Sequence, residues 1–135
     1  LKAAKSVSKP MDSRTLALLC RQYAHNKKAE DIVVLDLRKL STVTDYFVIA
    51  TGTSEPHLRA ISEEITERLR QEHSIRPRAV DGTSQTAWVV LDYMDVIVHL
   101  MRPELRQRYD LEGLWRDAPR VRTRTRRTSR TKTSK

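Results

Sequence analysis

A small α/β fold, one mixed β-sheet flanked by helices, is predicted by three observations. Apolar residues recur at helical spacing twice, at Leu16, Leu19, Cys20 and Tyr23 and again at Leu58, Ile61, Ile65 and Leu69. Short β-branched runs at 31–37, 46–50, 88–91 and 96–100 have strand length and are bounded by polar turn residues. The resulting order of helix, strand, strand, helix, strands and helix is that of a sheet with helices laid on its faces.

Each element has its own local reason. Ser13 reads as an N-cap for the first helix, which Asn26-Lys27-Lys28 ends. Asp31 to Leu37 and Tyr46 to Ala50 read as strands separated by Ser41-Thr42-Val43-Thr44-Asp45. Thr51-Gly52-Thr53-Ser54 then turns the chain, and Ser54 caps a second helix with Glu55 and Pro56 in its first turn, running to about Arg70. Pro77 to Val80 is a short edge strand, and Asp81-Gly82 a turn.

Trp88 to Leu91 and Val96 to Leu100 flank Asp92-Tyr93-Met94-Asp95, the spacing of a hairpin with a two-residue turn. The predicted register sets Asp92 opposite Asp95, Leu91 opposite Val96, Val90 opposite Ile97, Val89 opposite Val98 and Trp88 opposite His99. One face is then Val89, Leu91, Val96 and Val98; the other carries Trp88, Val90, Ile97 and His99. Two carboxylates side by side disfavour a hairpin, so the Asp pair either shapes the turn or is kept for a basic partner. Pro103 opens a closing helix, and Leu111, Leu114 and Trp115 supply a last apolar patch. There are no internal repeats.

The chain of 135 residues, 39% hydrophobic, supports one domain with a modest core. No stretch approaches the roughly 20 apolar residues of a membrane span, and no signal-peptide pattern opens it. The single Cys20 excludes an internal disulfide and fits a reducing compartment. The net charge of +9 is unevenly placed. From Arg116 onward nine Lys or Arg face one Asp, and Leu1 to Lys9 adds three lysines and no acid. Pro10 to Trp115 therefore holds 14 basic and 16 acidic residues, a balance of −2. This divides the chain into a flexible basic leader at 1–11, a folded domain at 12–115 and a disordered Arg/Thr/Lys-rich tail at 116–135. Arg122, Arg124, Arg126, Arg127 and Arg130 either contact RNA by counterion release or form a solubilising extension.

Catalytic patterns are weak. The Gly52 loop stands between a strand and a helix N-terminus, where anions bind, but it lacks the glycines or the Gly-Lys-Ser/Thr ending of a phosphate loop. An ordinary capped turn is the simpler reading. Nucleotidyl transfer would need clustered carboxylates; Asp81, Asp92, Asp95, Glu63 and Glu64 make no clear set. His25, His57, His73 and His99 have no zinc-type spacing with Cys20 or each other, and no Ser-His-Asp or Cys-His reading stands out. No metal or cofactor is expected. Trp88 is either covered by a helix or an anchor for a partner. With Tyr93, Tyr109, Asp92 and Asp95 it would suit a basic protein surface.

Several blocks, in order, resemble one family. Asp31-Ile-Val-Val-Leu-Asp36, Thr44-Asp-Tyr-Phe-Val-Ile-Ala-Thr-Gly-Thr-Ser54, Trp88-Val-Val-Leu-Asp-Tyr93, Asp95-Val-Ile-Val-His99 and Arg108-Tyr-Asp-Leu-Glu112 followed by Leu114-Trp115 are similar to the ribosomal silencing factors, or Iojap family. The resemblance covers about Ser13 to Trp115. It implies a nucleotidyltransferase-like fold without the catalytic residues. It also implies docking on the large ribosomal subunit, on its ribosomal protein fourteen, and a steric block to joining of the small subunit. Members act when nutrients are short, or in organelles during large-subunit assembly. The docking positions carried over are Trp88, Asp92, Tyr93, Asp95, His99 and Tyr109.

Two features depart from the family pattern: Met94 stands where glycine is usual, and the basic leader and tail lie outside it. The expectation is a non-enzymatic, ribosome-associated translational repressor in the cytoplasm or an organelle, with no membrane partner, as monomer or homodimer. The alternatives are a nucleotide-binding, nucleotidyltransferase-like enzyme using the Gly52 loop and a general RNA binder driven by the tail.

Overall fold

The computed structural model describes residues 11–122. Four α-helices, α1 (Ser13–Asn26), α2 (Glu55–His73), α3 (Pro103–Tyr109) and α4 (Leu111–Leu114), accompany five strands. These are β1 (Glu30–Asp36), β2 (Tyr46–Thr51), β3 (Ala79–Asp81), β4 (Trp88–Asp92) and β5 (Val96–Met101), with a 3-10 turn at Ser84–Thr86. The sheet runs β1-β2-β5-β4-β3. Only β2 and β5 pair in parallel; β1 with β2, β4 with β5 and β3 with β4 are antiparallel. The predicted mixed α/β sheet is thus the fold found.

Both faces of the sheet are covered. On one, Leu16, Cys20 and Tyr23 of α1 and Leu58, Ile61, Ile65 and Leu69 of α2 pack with Val34, Val48, Val89, Leu91, Val98 and Leu100. On the other, Leu35, Leu37, Ile49, Met101 and Ala118 are buried beneath Leu105, Leu111 and Trp115, with Phe47 and Trp88 at the same cluster. The first layer follows from the helical periodicity of two amphipathic helices. The second is built by the short C-terminal helices and the chain after them.

Local corrections have physical causes. Asp12, not Ser13, caps α1, accepting from the Thr15 amide at 2.7 Å; the Ser13 hydroxyl instead donates to Asp45 at 2.8 Å. Ser54 caps α2 as predicted, but that helix runs three residues beyond Arg70 to His73, where Ser74 stops it in a left-handed conformation (φ 57°). The hairpin turns one residue later than predicted. Asp92 pairs with Ile97, Leu91 with Val98, Val90 with His99 and Trp88 with Met101, and the Tyr93 amide closes the turn on the Val96 carbonyl at 2.9 Å. The slip is two residues across the pair, so the faces keep their members, yet Asp92 no longer opposes Asp95. Tyr93 joins the buried side against α1 and α2.

The folded body also passes its predicted end at Trp115. Ala118 is buried, the Pro119 carbonyl accepts from the Asp36 amide at 2.8 Å, Arg120 bridges Leu35, and the Val121 amide donates to Val34 at 2.8 Å. Residues 119–121 therefore line the outer edge of β1 and satisfy backbone groups that an edge strand leaves open. The leader through residue 10 and the tail from residue 123 lie outside the described residues.

Truncation after Trp115 is expected to lower stability by about 2 kcal/mol through lost apolar burial and edge hydrogen bonds. Truncation after Arg122 is expected to leave stability unchanged. Urea denaturation of the two truncated chains checks the difference, and equal midpoints would contradict this account of the edge.

Candidate partner-docking surface

The chain enters β4 through a tightly built corner. Gly82 has φ 77°, and a Cβ there would lie 2.0 Å from the Trp88 carbonyl oxygen, so the backbones approach too closely for any other residue. Thr83 caps the 3-10 turn, accepting from the Gln85 amide at 3.2 Å, and Ala87 leaves the turn at φ 68°. The Arg102 amide then donates to the Ala87 carbonyl at 2.9 Å, tying the start of α3 to the start of β4. Leu105 and Tyr109, four apart on α3, are brought over the sheet on one helix face. Trp88, Val90, Leu105 and Tyr109 line an open apolar groove rimmed by Asp81, Gly82 and Thr86.

Trp88 is held, not loose. Its Nε1–H donates to Nδ1 of His99 at 3.1 Å, and its ring meets Tyr109 at 5.1 Å between centroids. That bond makes Nδ1 the acceptor and leaves the His99 proton on Nε2, an assignment made from the hydrogen-bond pattern. His99 is buried against the edge of Phe47, with ring centroids 4.6 Å apart, and Nε2 has no protein partner. Burial holds its pKa down at about 4. It is a neutral acceptor that orients the indole.

The residues singled out in the sequence separate into groups. Trp88, His99 and Tyr109 come together, His99 as buried support and Tyr109 49% exposed. Tyr93 does not join them: its ring is in the opposite core, where burial pushes its phenol up. Asp92 is already engaged. Burial alone would raise its pKa, but the Met94 amide at 2.7 Å and the Arg78 guanidinium at 3.0 Å outweigh that and hold it below the usual carboxylate value. Asp95 is exposed at the tip, next to Met94, which has φ 73° and is bracketed by a hydrogen bond from the Asp95 amide to the Tyr93 carbonyl at 2.9 Å. Arg122 lies beside β1, far along the sheet from Trp88, while Arg124, Arg126, Arg127 and Arg130 fall outside the described residues. Leu105 and Gly82 were not singled out as site residues; the Leu105 and Tyr109 spacing is the sequence signal that marks the first.

The Gly52 loop is occupied by its own structure. A Cβ on Gly52 would lie 2.8 Å from the Leu58 side chain, so the glycine serves helix packing. The Gly52 amide donates to the Met101 carbonyl at 3.1 Å and the Thr53 amide to His57 Nδ1 at 2.9 Å. The His57 and Leu58 amides donate to Ser54. Four amides of the loop and first helical turn are thus paired within the protein, as in an ordinary capped turn. Among the described residues no group of three or more His, Cys, Asp or Glu is placed to hold a metal ion. Cys20 is buried, its thiol pushed up to about 12 by burial.

Known proteins resemble the chain over most of its length. Residues 10–135 match the family model described as "Ribosomal silencing factor during starvation". A ribosomal silencing factor of Halalkalibacterium halodurans is 37% identical over 111 residues, covering 82% of this chain and 94% of that protein. The Mus musculus "Mitochondrial assembly of ribosomal large subunit protein 1" is 32% identical over 83% of this chain and 48% of its own length. A crystal structure of a protein from Chromobacterium violaceum superposes with a TM-score of 0.74 at 30% identity, covering 78% of this chain and 87% of that one.

Two outcomes follow from the site. Met94→Gly is expected to raise stability by about 1 kcal/mol, because the left-handed conformation penalises a side chain; an unchanged or lower thermal midpoint would contradict the strained tip. Between pH 6.5 and about 4 the unfolded chain binds a proton that folded His99 refuses, so stability is full above that window and falls as pH drops through it. The loss approaches about 3 kcal/mol, since each tenfold change in proton affinity is worth about 1.4 kcal/mol. His99→Gln, which keeps an acceptor for Trp88 without titrating, is expected to flatten this acid limb in denaturation series; an identical limb would assign it elsewhere.

Proposed function

The chain belongs to the ribosomal silencing factor family, and from that premise we propose that it represses translation by occupying the large ribosomal subunit. The Trp88 and Tyr109 groove docks on ribosomal protein fourteen of that subunit, and the bound domain blocks joining of the small subunit. The observation that carries this reading is the partly buried Trp88, oriented by buried His99 and flanked by exposed Tyr109 at an open groove. Preoriented aromatics at a shallow apolar groove are what interface hot spots are made of, since little rotamer freedom is lost on binding. Asp81 at the rim and Asp95 at the hairpin tip supply the negative charge that suits a basic ribosomal protein, whereas Asp92 serves to hold the turn.

No chemical step is needed. Binding alone excludes the second subunit, so the protein acts as a stoichiometric repressor and not as an enzyme. The name of the Mus musculus relative suggests a second setting, in which the same occupancy accompanies assembly of a large subunit. The arginine-rich tail adds contacts to rRNA by displacing counterions from phosphates. Work on that tail should begin after Arg122, because earlier truncation strips the β1 edge.

Tyr109→Ala tests the docking face with little risk to the core, because Tyr109 is 49% exposed. It is expected to weaken binding to purified large subunits about 30-fold, the equivalent of roughly 2 kcal/mol. Binding equal to that of the unmodified chain, with circular dichroism unchanged, would remove this face from the interface.

A further inference from the structure

Arg21 of α1, together with Arg120 and Arg122 of the segment returning along β1, lines one open groove whose floor includes Val34 and Val121. We infer that this groove holds the phosphodiester backbone of RNA, so that the folded body and not only the tail engages nucleic acid. The inference rests on the ribosome-docking reading only for the RNA being ribosomal.

Three observations carry it. The returning segment is pinned, because the Val121 amide donates to Val34 at 2.8 Å, Arg120 bridges Leu35 and the Val121 side chain packs on the core. Arg120 and Arg122 are therefore presented from a fixed backbone beside Arg21, which reduces the ordering cost of binding. The guanidinium groups are also little neutralised. Among the described residues Arg21 and Arg122 make no ion pair, and Arg120 approaches Glu112 only at 3.8 Å. Glu112 is committed elsewhere, accepting from Arg106 through both oxygens at 3.0 Å. Finally, the sequence continues the pattern. Arginine at every second position runs from Arg120 through Arg126, and residues 123–135 hold six Lys or Arg and no Asp or Glu.

The charge arrangement selects the partner. Between Pro10 and Trp115 the balance is −2, so anion attraction is concentrated at this edge and not spread over the body. Arginine forks recognise phosphate oxygens in pairs. The floor is aliphatic, without the aromatic platforms that read bases, so recognition should be independent of sequence.

The test is fluorescence anisotropy of the full chain with a single-stranded RNA of mixed sequence, about 20 nucleotides long to span a groove-sized site, across a salt series. Arg21→Gln lies outside the tail and is expected to weaken binding several-fold and to reduce the slope of log affinity against log salt by about 0.7, one phosphate contact. Arg21→Lys should restore most of the slope, and Arg59→Gln, an exposed cation on α2, should leave it unchanged. An unaltered slope in Arg21→Gln overturns the groove and leaves the tail acting alone; an equal loss in Arg59→Gln overturns it as mere bulk charge. If Arg21→Gln loses large subunits while RNA binding is intact, the partner is an acidic protein surface and the RNA assignment is wrong. Failure of the docking reading shows separately, in subunit binding by Tyr109→Ala, and leaves the salt slope untouched.

Discussion

The hydrogen bond from the Trp88 indole to His99 governs the surface of this molecule. His99 is buried on β5, between parallel β2 and antiparallel β4, so its imidazole has few positions available. An imidazole that accepts at Nδ1 fixes the plane of the indole, and Tyr109 then packs against that plane from α3. The same burial keeps the ring neutral, because charging it there costs desolvation that no facing carboxylate offsets. Remove the acceptor and the partly buried indole N–H loses its protein partner and its fixed orientation. Groove shape, helix placement and acid sensitivity thus share one cause.

Much of this was legible in the sequence, and the residues that were not show why. Alternation along 88–91 and 96–100 assigned the faces correctly, because side-chain parity survives a slip of two residues across the pair. It did not fix the turn. Met94 in a left-handed conformation, held by the Asp92 carboxylate, is a choice that pattern alone does not reveal, since glycine is the residue expected there. Tyr93 was placed with the wrong neighbours for the same reason. Trp88 was read as either covered by a helix or open to a partner, and α3 covers part of it and leaves the rest. Arg116 to Val121 read as tail by composition, yet Ala118 and Val121 find apolar contacts that only the assembled β1 edge supplies. The Gly52 loop looked like a capped turn and is one; what the sequence did not show is that His57 takes the Thr53 amide and that Leu58 packs against Gly52.

The sheet order separates two kinds of surface. The aromatic groove lies at β4 and the corner leading into it, and the arginine groove at the outer edge of β1, with β2 and β5 between. At about 4.8 Å per strand, β1 and β4 stand roughly 14 Å apart. A single small domain can therefore meet a protein at one edge and a phosphate backbone at the other, which is the mixed surface a ribosomal subunit presents. Two modest contacts on one rigid body reinforce each other through effective concentration, so neither has to be tight alone.

The most direct measurement is subunit joining. Purified bacterial large and small subunits are mixed with increasing amounts of the full chain and separated by gradient sedimentation. Loss of joined ribosomes as the protein comigrates with free large subunits is the result this account predicts. Full joining at protein in large excess over subunits, with no protein in the large-subunit fraction, would contradict it.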